Sequence, residues 1–175
     1  MFRSIALFAI PMLIVANTAW AEDKPAAHKA IIDSIGPTLV NAKGEEFKTA
    51  DLAEKKYVVL YFSASWCPPC KKFTPNLVKF YNDHAAKANF DVILVGADRS
   101  AEKQAAYLTD FNMPFKAVPF EALAEGTLPR KFGVRGIPHL AILDAEGNQV
   151  ASSVVDGEYI GCDAVLERFA EVLKG

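Results

Sequence analysis

Cysteine is scarce, with three residues in a chain of 175. That excludes the disulfide-dense class, in which several bridges staple a small core. An excess of one charge is missing too. Nineteen Lys and Arg stand against 21 Asp and Glu, a net charge of −2 with no basic block, so no nucleic-acid partner is expected. Glycine and proline number ten each, too few for collagen-like or low-complexity sequence. With 51% apolar residues, the composition is not that of a disordered chain. No internal repeat occurs, and beyond the first 21 residues no apolar run could span a membrane. What is there reads as one globular domain. A chain of this size buries about 68–70% of the surface its unfolded form exposes, so it needs no metal or disulfide framework to fold.

Residues 1–21, MFRSIALFAIPMLIVANTAWA, carry one charge, Arg3, ahead of an apolar run from Ile5 to Val15 broken only by Pro11. Ala19-Trp20-Ala21 sets small residues at alternate positions, and Glu22-Asp23-Lys24 is abruptly polar. This is the three-part layout of a secretory signal peptide, with cleavage expected after Ala21. The competing reading is a retained anchor. It is disfavoured because the run from Ile5 to Val15 falls short of the ~20 residues that cross a bilayer. No cysteine lies in the segment to carry a lipid. Removing 21 of the 175 residues leaves 154, and the loss of Arg3 takes the net charge from −2 to −3. A periplasmic or secreted protein in an oxidising compartment is expected.

Residues 22–35 read as a tether, and 36–175 as the domain. Thr38-Leu-Val-Asn41 and Glu46-Phe-Lys48 form a candidate hairpin, and Asp51–Lys55 one helical turn. Tyr57–Phe62 and Phe90–Val95 are continuous β-branched and aromatic runs, the mark of strands buried on both faces. From Pro68 to Ala88, Phe73, Leu77, Phe80, Tyr81 and His84 recur at helical spacing. Ser100 caps a helix through Phe111. A Pro-containing loop and a short helical piece near Leu128–Phe132 follow. Strands are then expected at His139–Leu143 and Gln149–Val155, and a closing helix at Asp163–Leu173. Together these imply an α/β domain, a mixed sheet covered by helices on both faces with an N-terminal β-hairpin extension.

The chemistry falls where the first buried strand meets the long helix, at Ser65-Trp-Cys-Pro-Pro-Cys-Lys71. C-x-x-C spacing puts two sulfurs within one helical turn. With Cys67 at the N-cap, its sulfur meets unpaired backbone N–H groups and the positive end of the helix dipole. Both favour the thiolate, and in such motifs the thiol pKa falls to between about 3.5 and 7.5. Pro68 suits the first helical position, where no N–H is needed, and Pro69 stiffens the same turn. Cys70, one turn inward, is expected to be less exposed. Cys67 therefore attacks or is attacked, and Cys70 resolves the mixed disulfide. The competing readings of the pair are a permanent disulfide, a zinc half-site and a haem attachment site. Haem attachment wants His where Lys71 stands. Zinc wants four ligands, and only Cys162 and three His remain, without ligand spacing. No metal is expected, and no cofactor beyond the redox-active Cys67–Cys70 disulfide.

This frame, with Gly136-Ile-Pro-His139 before a later strand, resembles the thioredoxin superfamily. Ser63-Ala-Ser-Trp-Cys-Pro-Pro-Cys-Lys-Lys-Phe-Thr-Pro75, Met113-Pro-Phe115 and Val118-Pro-Phe120 are most similar to its tryparedoxin and nucleoredoxin branch. The likeness runs from about Gly36 to Leu173 and implies a thioredoxin fold. It implies Cys67 as nucleophile, Cys70 as resolving thiol and Trp66 as a partner-facing aromatic, against the plainer reading of Trp66 as core. Pro75 matches a proline that bends the first long helix. Pro138 matches the cis-proline packed opposite the cysteines. Backbone pairing of substrate at Ile137 is implied, beside Pro68, Pro69 and a Gly136 that lets the chain come close.

Two positions depart from thioredoxin itself. Six residues before the first Cys, thioredoxins hold a buried acid, whereas this chain has Tyr61, as in the tryparedoxin branch. With an ordinary pKa of about 10, a tyrosine is a poor base at neutral pH. His139 has two readings, a neighbour that tunes the Cys67 thiolate and a strand-edge side chain pointing elsewhere; the second carries more weight. Cys162, ahead of the last helix, reads as an N-cap, a regulatory thiol, an intermolecular linker or, preferred over these, a buried bystander. The expectation is an exported monomeric thiol-disulfide oxidoreductase, tilted toward reduction of protein disulfides. Its partners are cysteine-containing exported proteins and a membrane or soluble thiol electron donor. A disulfide oxidase or isomerase, and a low-turnover client-binding module, are the alternatives. Specificity is expected from the surface around Trp66, Ile137 and the loop at 113–120.

Overall fold

The computed structural model describes residues 28–123 and 127–174. The expected signal peptide, its cleavage site after Ala21 and residues 22–27 lie outside them. In chain order the elements are α1 (Lys29–Ile35), β1 (Thr38–Val40), β2 (Glu46–Lys48), a 3₁₀ turn (Thr49–Glu54), β3 (Tyr57–Ser63) and α2 (Pro68–Ala88). Then come β4 (Phe90–Gly96), α3 (Ala101–Asp110), β5 (Lys116–Ala117) and a second 3₁₀ turn (Phe120–Leu123). The chain closes with α4 (Thr127–Lys131), β6 (His139–Asp144), β7 (Gln149–Ser152), β8 (Val154–Val155), β9 (Glu158–Tyr159) and α5 (Cys162–Val172).

β3 is uncharged and buried along its whole length. Alternation then divides its side chains between two cores. Tyr57, Val59 and Tyr61 pack with Phe73 and Leu77 of α2, Tyr107 of α3, and Val165 and Phe169 of α5. Val58, Leu60 and Phe62 pack with Ile31 and Ile35 of α1, Leu52, and Leu128 of α4. Around β3 runs a seven-stranded sheet, ordered β2-β1-β5-β4-β3-β6-β7. β3 pairs with β4 in parallel and with β6 antiparallel, and β5 joins β4 in parallel. The sheet is mixed, helices cover both faces, and β1–β2 form the antiparallel hairpin at one edge. This is the thioredoxin fold.

Four expectations change in detail. The tether ends before residue 29: Ile31 and Ile35, four residues apart, share one face of α1 and are buried on the sheet. The strand expected over Gln149–Val155 breaks at Ser153. Its side chain accepts from Leu140 N–H (2.9 Å), while its carbonyl is diverted to Ile160 N–H (2.9 Å). β8 therefore leaves the sheet and pairs with β9. Within the Pro-containing loop, Lys116–Ala117 supplies a short strand. His84, expected on the buried stripe of α2, is exposed with its ring against Phe80 (centroids 4.7 Å apart).

Candidate active site

Three neighbouring strands bring their ends to one edge of the sheet. Ser63 closes β3 opposite Gly96 of β4, and Phe62 faces His139, the first residue of antiparallel β6. The loops carrying residues 64–67, 97–100 and 136–138 therefore converge. The loop after β4 holds the cysteine loop in place. Asp98 Oδ1 accepts from Ser65 N–H (2.9 Å) and Ser65 Oγ (2.6 Å), and the Trp66 indole N–H donates to Ala97 O (2.8 Å). Thus anchored, the Trp66 side still stands 53% exposed, which favours a partner-facing aromatic over a core residue.

Cys67 is the N-cap of α2, with Pro68 and Pro69 opening the helix, both exposed. Cys67 and Cys70 are joined by a disulfide, their Cα atoms 5.2 Å apart. The Cys70 backbone N–H points at Cys67 Sγ (3.2 Å), a donor placed to stabilise negative charge on that sulfur after reduction. Cys70 is fully buried and Cys67 nearly so. The Ile137–Pro138 peptide bond is cis, and Ile137 O lies 3.7 Å from Cys67 Sγ. A disulfide sulfur has no proton to donate, so this contact marks the acceptor that the Cys67 thiol meets once reduced. Ala64, the two cysteines and Ile137 form one apolar cluster.

Beneath Cys70 lies a cluster of hydroxyls. Tyr61 Oη lies 2.9 Å from Thr74 Oγ1 and donates to Cys70 O (3.3 Å). Thr74 Oγ1 donates to the same carbonyl (2.8 Å) and meets Tyr107 Oη (2.6 Å), which also meets Ser63 Oγ (2.9 Å). Burial, with Tyr107 alongside, pushes the Tyr61 phenol far above its ordinary range. It stays neutral. His139 is fully buried, edge-on to Phe62 (centroids 5.7 Å apart), with Nε2 3.4 Å from Ser152 Oγ. Those contacts, and not Cys67, are its partners. Burial lowers its pKa below the ordinary 6.5. Cys162 is the first residue of α5 and not its cap, Gly161 holding that place with φ 85°. Its thiol is buried, and burial pushes its pKa up. Among the described residues, no three His, Cys, Asp or Glu side chains gather as a metal site.

Apolar cavities flank the Gly136–Ile137 segment. One, of about 280 Å³, lies between Trp66, Ala97, Leu128, Pro129 and Ile137. The other, of about 380 Å³, is bounded by Pro69, Ile137, Pro138, Val154 and Tyr159. Residues 113–120 line neither. Trp66 and Ile137 thus lie on these cavities, and Val154 and Tyr159 of the β8–β9 hairpin line the second. Asp98, Thr74, Tyr107 and Tyr159 join the site without a signal in the motifs that mark the cysteines. A polar residue just past the end of a buried strand, as Asp98 is, was a usable signal.

A family model described as thioredoxin-like matches residues 54–149. Probable nucleoredoxin 1 of Arabidopsis thaliana is 38% identical over 130 residues, which is 74% of this chain and 22% of that protein. The chain thus spans about a fifth of that relative's length. Tryparedoxin of Trypanosoma brucei brucei is 37% identical over 127 residues, 69% of this chain and 86% of that protein. Among solved structures, tryparedoxin I from Leishmania major superposes with a TM-score of 0.64 at 30% identity, covering 83% of this chain and 92% of that one.

Proposed function

Because the chain belongs to the thioredoxin-like family, in its tryparedoxin and nucleoredoxin branch, we propose that the Cys67–Cys70 pair reduces disulfides in proteins. The observation that carries this reading is the disulfide at the start of α2, with the Cys70 N–H aimed at Cys67 Sγ and Ile137 O across from it. In the reduced protein the Cys67 thiolate attacks one sulfur of a target disulfide. A Cys67–target mixed disulfide forms, and the other target sulfur leaves as a thiolate. The Cys70 thiolate then attacks Cys67 Sγ, closing the Cys67–Cys70 disulfide and expelling the second target thiolate. Two electrons pass to the target, whose thiolates take up two protons from solvent and from Cys70. A membrane or soluble thiol donor returns the pair to the dithiol.

Trp66, Pro68, Pro69, Ile137 and Pro138 form the surface that meets the target, and the pair itself is the only redox cofactor. The protein acts as a monomer outside the cytoplasm, on cysteine-containing exported proteins, after removal of residues 1–21. Three features support export: the single charge before the apolar run, the small residues at 19 and 21, and the polar stretch that follows. Mass spectrometry of protein from its native compartment is expected to find an N-terminus at Glu22; an intact Met1 would refute cleavage. Insulin reduction with a dithiol donor tests the chemistry. Wild type turns over, Cys67→Ser abolishes the reaction, and Cys70→Ser accumulates a mixed disulfide with insulin. Unchanged activity in Cys67→Ser would refute the mechanism. A pair potential near about −120 mV would turn the assignment to an oxidase.

A further inference from the structure

β8 and β9 form a hairpin outside the central sheet, joined by Asp156 and Gly157 with φ of 52° and 86°. It carries Tyr159 back to the cis-proline loop from its far side. Tyr159 is 57% exposed, yet its hydroxyl donates to Pro138 O at 2.9 Å. Pro138 is buried and precedes β6, and no backbone N–H among the described residues donates to its carbonyl. The tyrosine hydroxyl is what satisfies it.

Behind the hydroxyl lies Cys162, its Sγ 3.8 Å from Tyr159 Oη and 3.3 Å from Ser153 Oγ. Ser153 Oγ already accepts from Leu140 N–H, which leaves its proton for Cys162 Sγ. The protons then run one way: Ser153 O–H to Cys162 S, Cys162 S–H to Tyr159 O, Tyr159 O–H to Pro138 O. Each group donates once, and the last acceptor is the loop that faces Cys67. Burial, with Cys162 and Asp163 nearby, pushes the Tyr159 phenol well above its ordinary range, so it remains a donor wherever the protein is folded.

We propose that Tyr159 is a positioning residue for protein substrates: its hydroxyl fixes the Pro138 carbonyl and so holds the Ile137 backbone ready to pair with an extended target segment. This rests on the reading of the site as a protein-disulfide reductase. A preset backbone lowers the ordering cost of binding. The hydroxyl makes no hydrogen bond to the sulfur of Cys67 or Cys70, so a disulfide that has no peptide chain to pair gains nothing from it.

The experiment uses Tyr159→Phe, which keeps the ring and removes only the hydroxyl. The pre-reduced protein is mixed in single turnover with insulin and, separately, with 5,5′-dithiobis(2-nitrobenzoic acid), a small aromatic disulfide. For insulin, the half-saturating concentration is expected to rise about three- to tenfold, the loss of one hydrogen bond, with the limiting rate unchanged. The rate with the small disulfide and the potential of the pair are expected to stay at wild-type values. An unchanged half-saturating concentration for insulin overturns the proposal, and so does an equal slowing of both reactions. If the wild type reduces neither disulfide, the reductase reading itself fails and the proposal falls with it. An active wild type with an unaffected variant removes the role of Tyr159 alone.

Discussion

Tyr61 stands where a carboxylate would be the obvious base for Cys70, and the side-chain polar group its hydroxyl meets is another hydroxyl, that of Thr74. Four hydroxyls, those of Tyr61, Ser63, Thr74 and Tyr107, share the space between β3, α2 and α3. The cluster meets Cys70 through its carbonyl, and burial keeps Tyr61 neutral and so a poor base for the resolving thiol. Removing the Tyr61 hydroxyl orphans nothing, because Cys70 O keeps Thr74 and Thr74 keeps Tyr107. Tyr61→Phe is therefore expected to cost only about 1 kcal/mol in urea unfolding. The pH–rate profile of insulin reduction should keep its wild-type shape. A variant that lost one limb of that profile would show the hydroxyl carrying the proton after all.

At the level of elements, α1 tests the difference between a tether and a packed helix. Ile35 is 2% exposed against Leu39, Leu52 and the even-numbered face of β3. Ile35→Ala is expected to destabilise the domain by about 2–4 kcal/mol with an unchanged urea m-value; a passive tether would show no change. The elements legible from sequence were those with long unbroken periods. β3 and β4 declared themselves as solid apolar runs, and α2 by its spacing and its two opening prolines. α1 hid because its three isoleucines fall within seven residues and only Ile31 and Ile35 share the buried face, which makes a weak stripe. β5 is two residues long and exists only because β1 and β4 hold it. Asp156-Gly157 between Val154-Val155 and Glu158-Tyr159 is a turn signal of the hairpin kind, and it pairs Val154-Val155 with Glu158-Tyr159 instead of extending β7. The site divides likewise. Cys67, Cys70, Trp66 and Pro138 sit in local motifs, whereas Asp98 reaches Ser65 from 33 residues away and Tyr159 reaches Pro138 from 21. Contacts of that range are set by the sheet and not by neighbours in sequence.

Across the whole molecule, two buried histidines tie stability to pH. His28 Nε2 donates to Lys55 O (2.9 Å), and among the described residues neither His28 Nδ1 nor His139 Nδ1 meets a partner. Burial lowers both below the ordinary 6.5; for His28, the Lys55 carbonyl and the acids at 144 and 146 partly oppose it. Below pH 6.5 the unfolded chain takes up protons that the folded one refuses, so stability falls as pH drops from there toward the folded values. The urea midpoint is expected to fall between about pH 7.5 and pH 5.5, and to fall less in a His28→Gln/His139→Gln variant; equal falls would remove the histidines as the cause. The convergence of strand ends has a consequence for the chain as it is being made. The acceptor that completes the reactive site, Ile137 O, comes 70 residues after Cys67. A chain made from its amino terminus holds both thiols long before that carbonyl arrives. Until β6 docks beside β3 they are ordinary cysteines, on a helix end not yet anchored. The anchored Cys67, at a capped helix end and opposite its carbonyl partner, therefore exists only in the finished sheet; before that it exchanges as an ordinary thiol does.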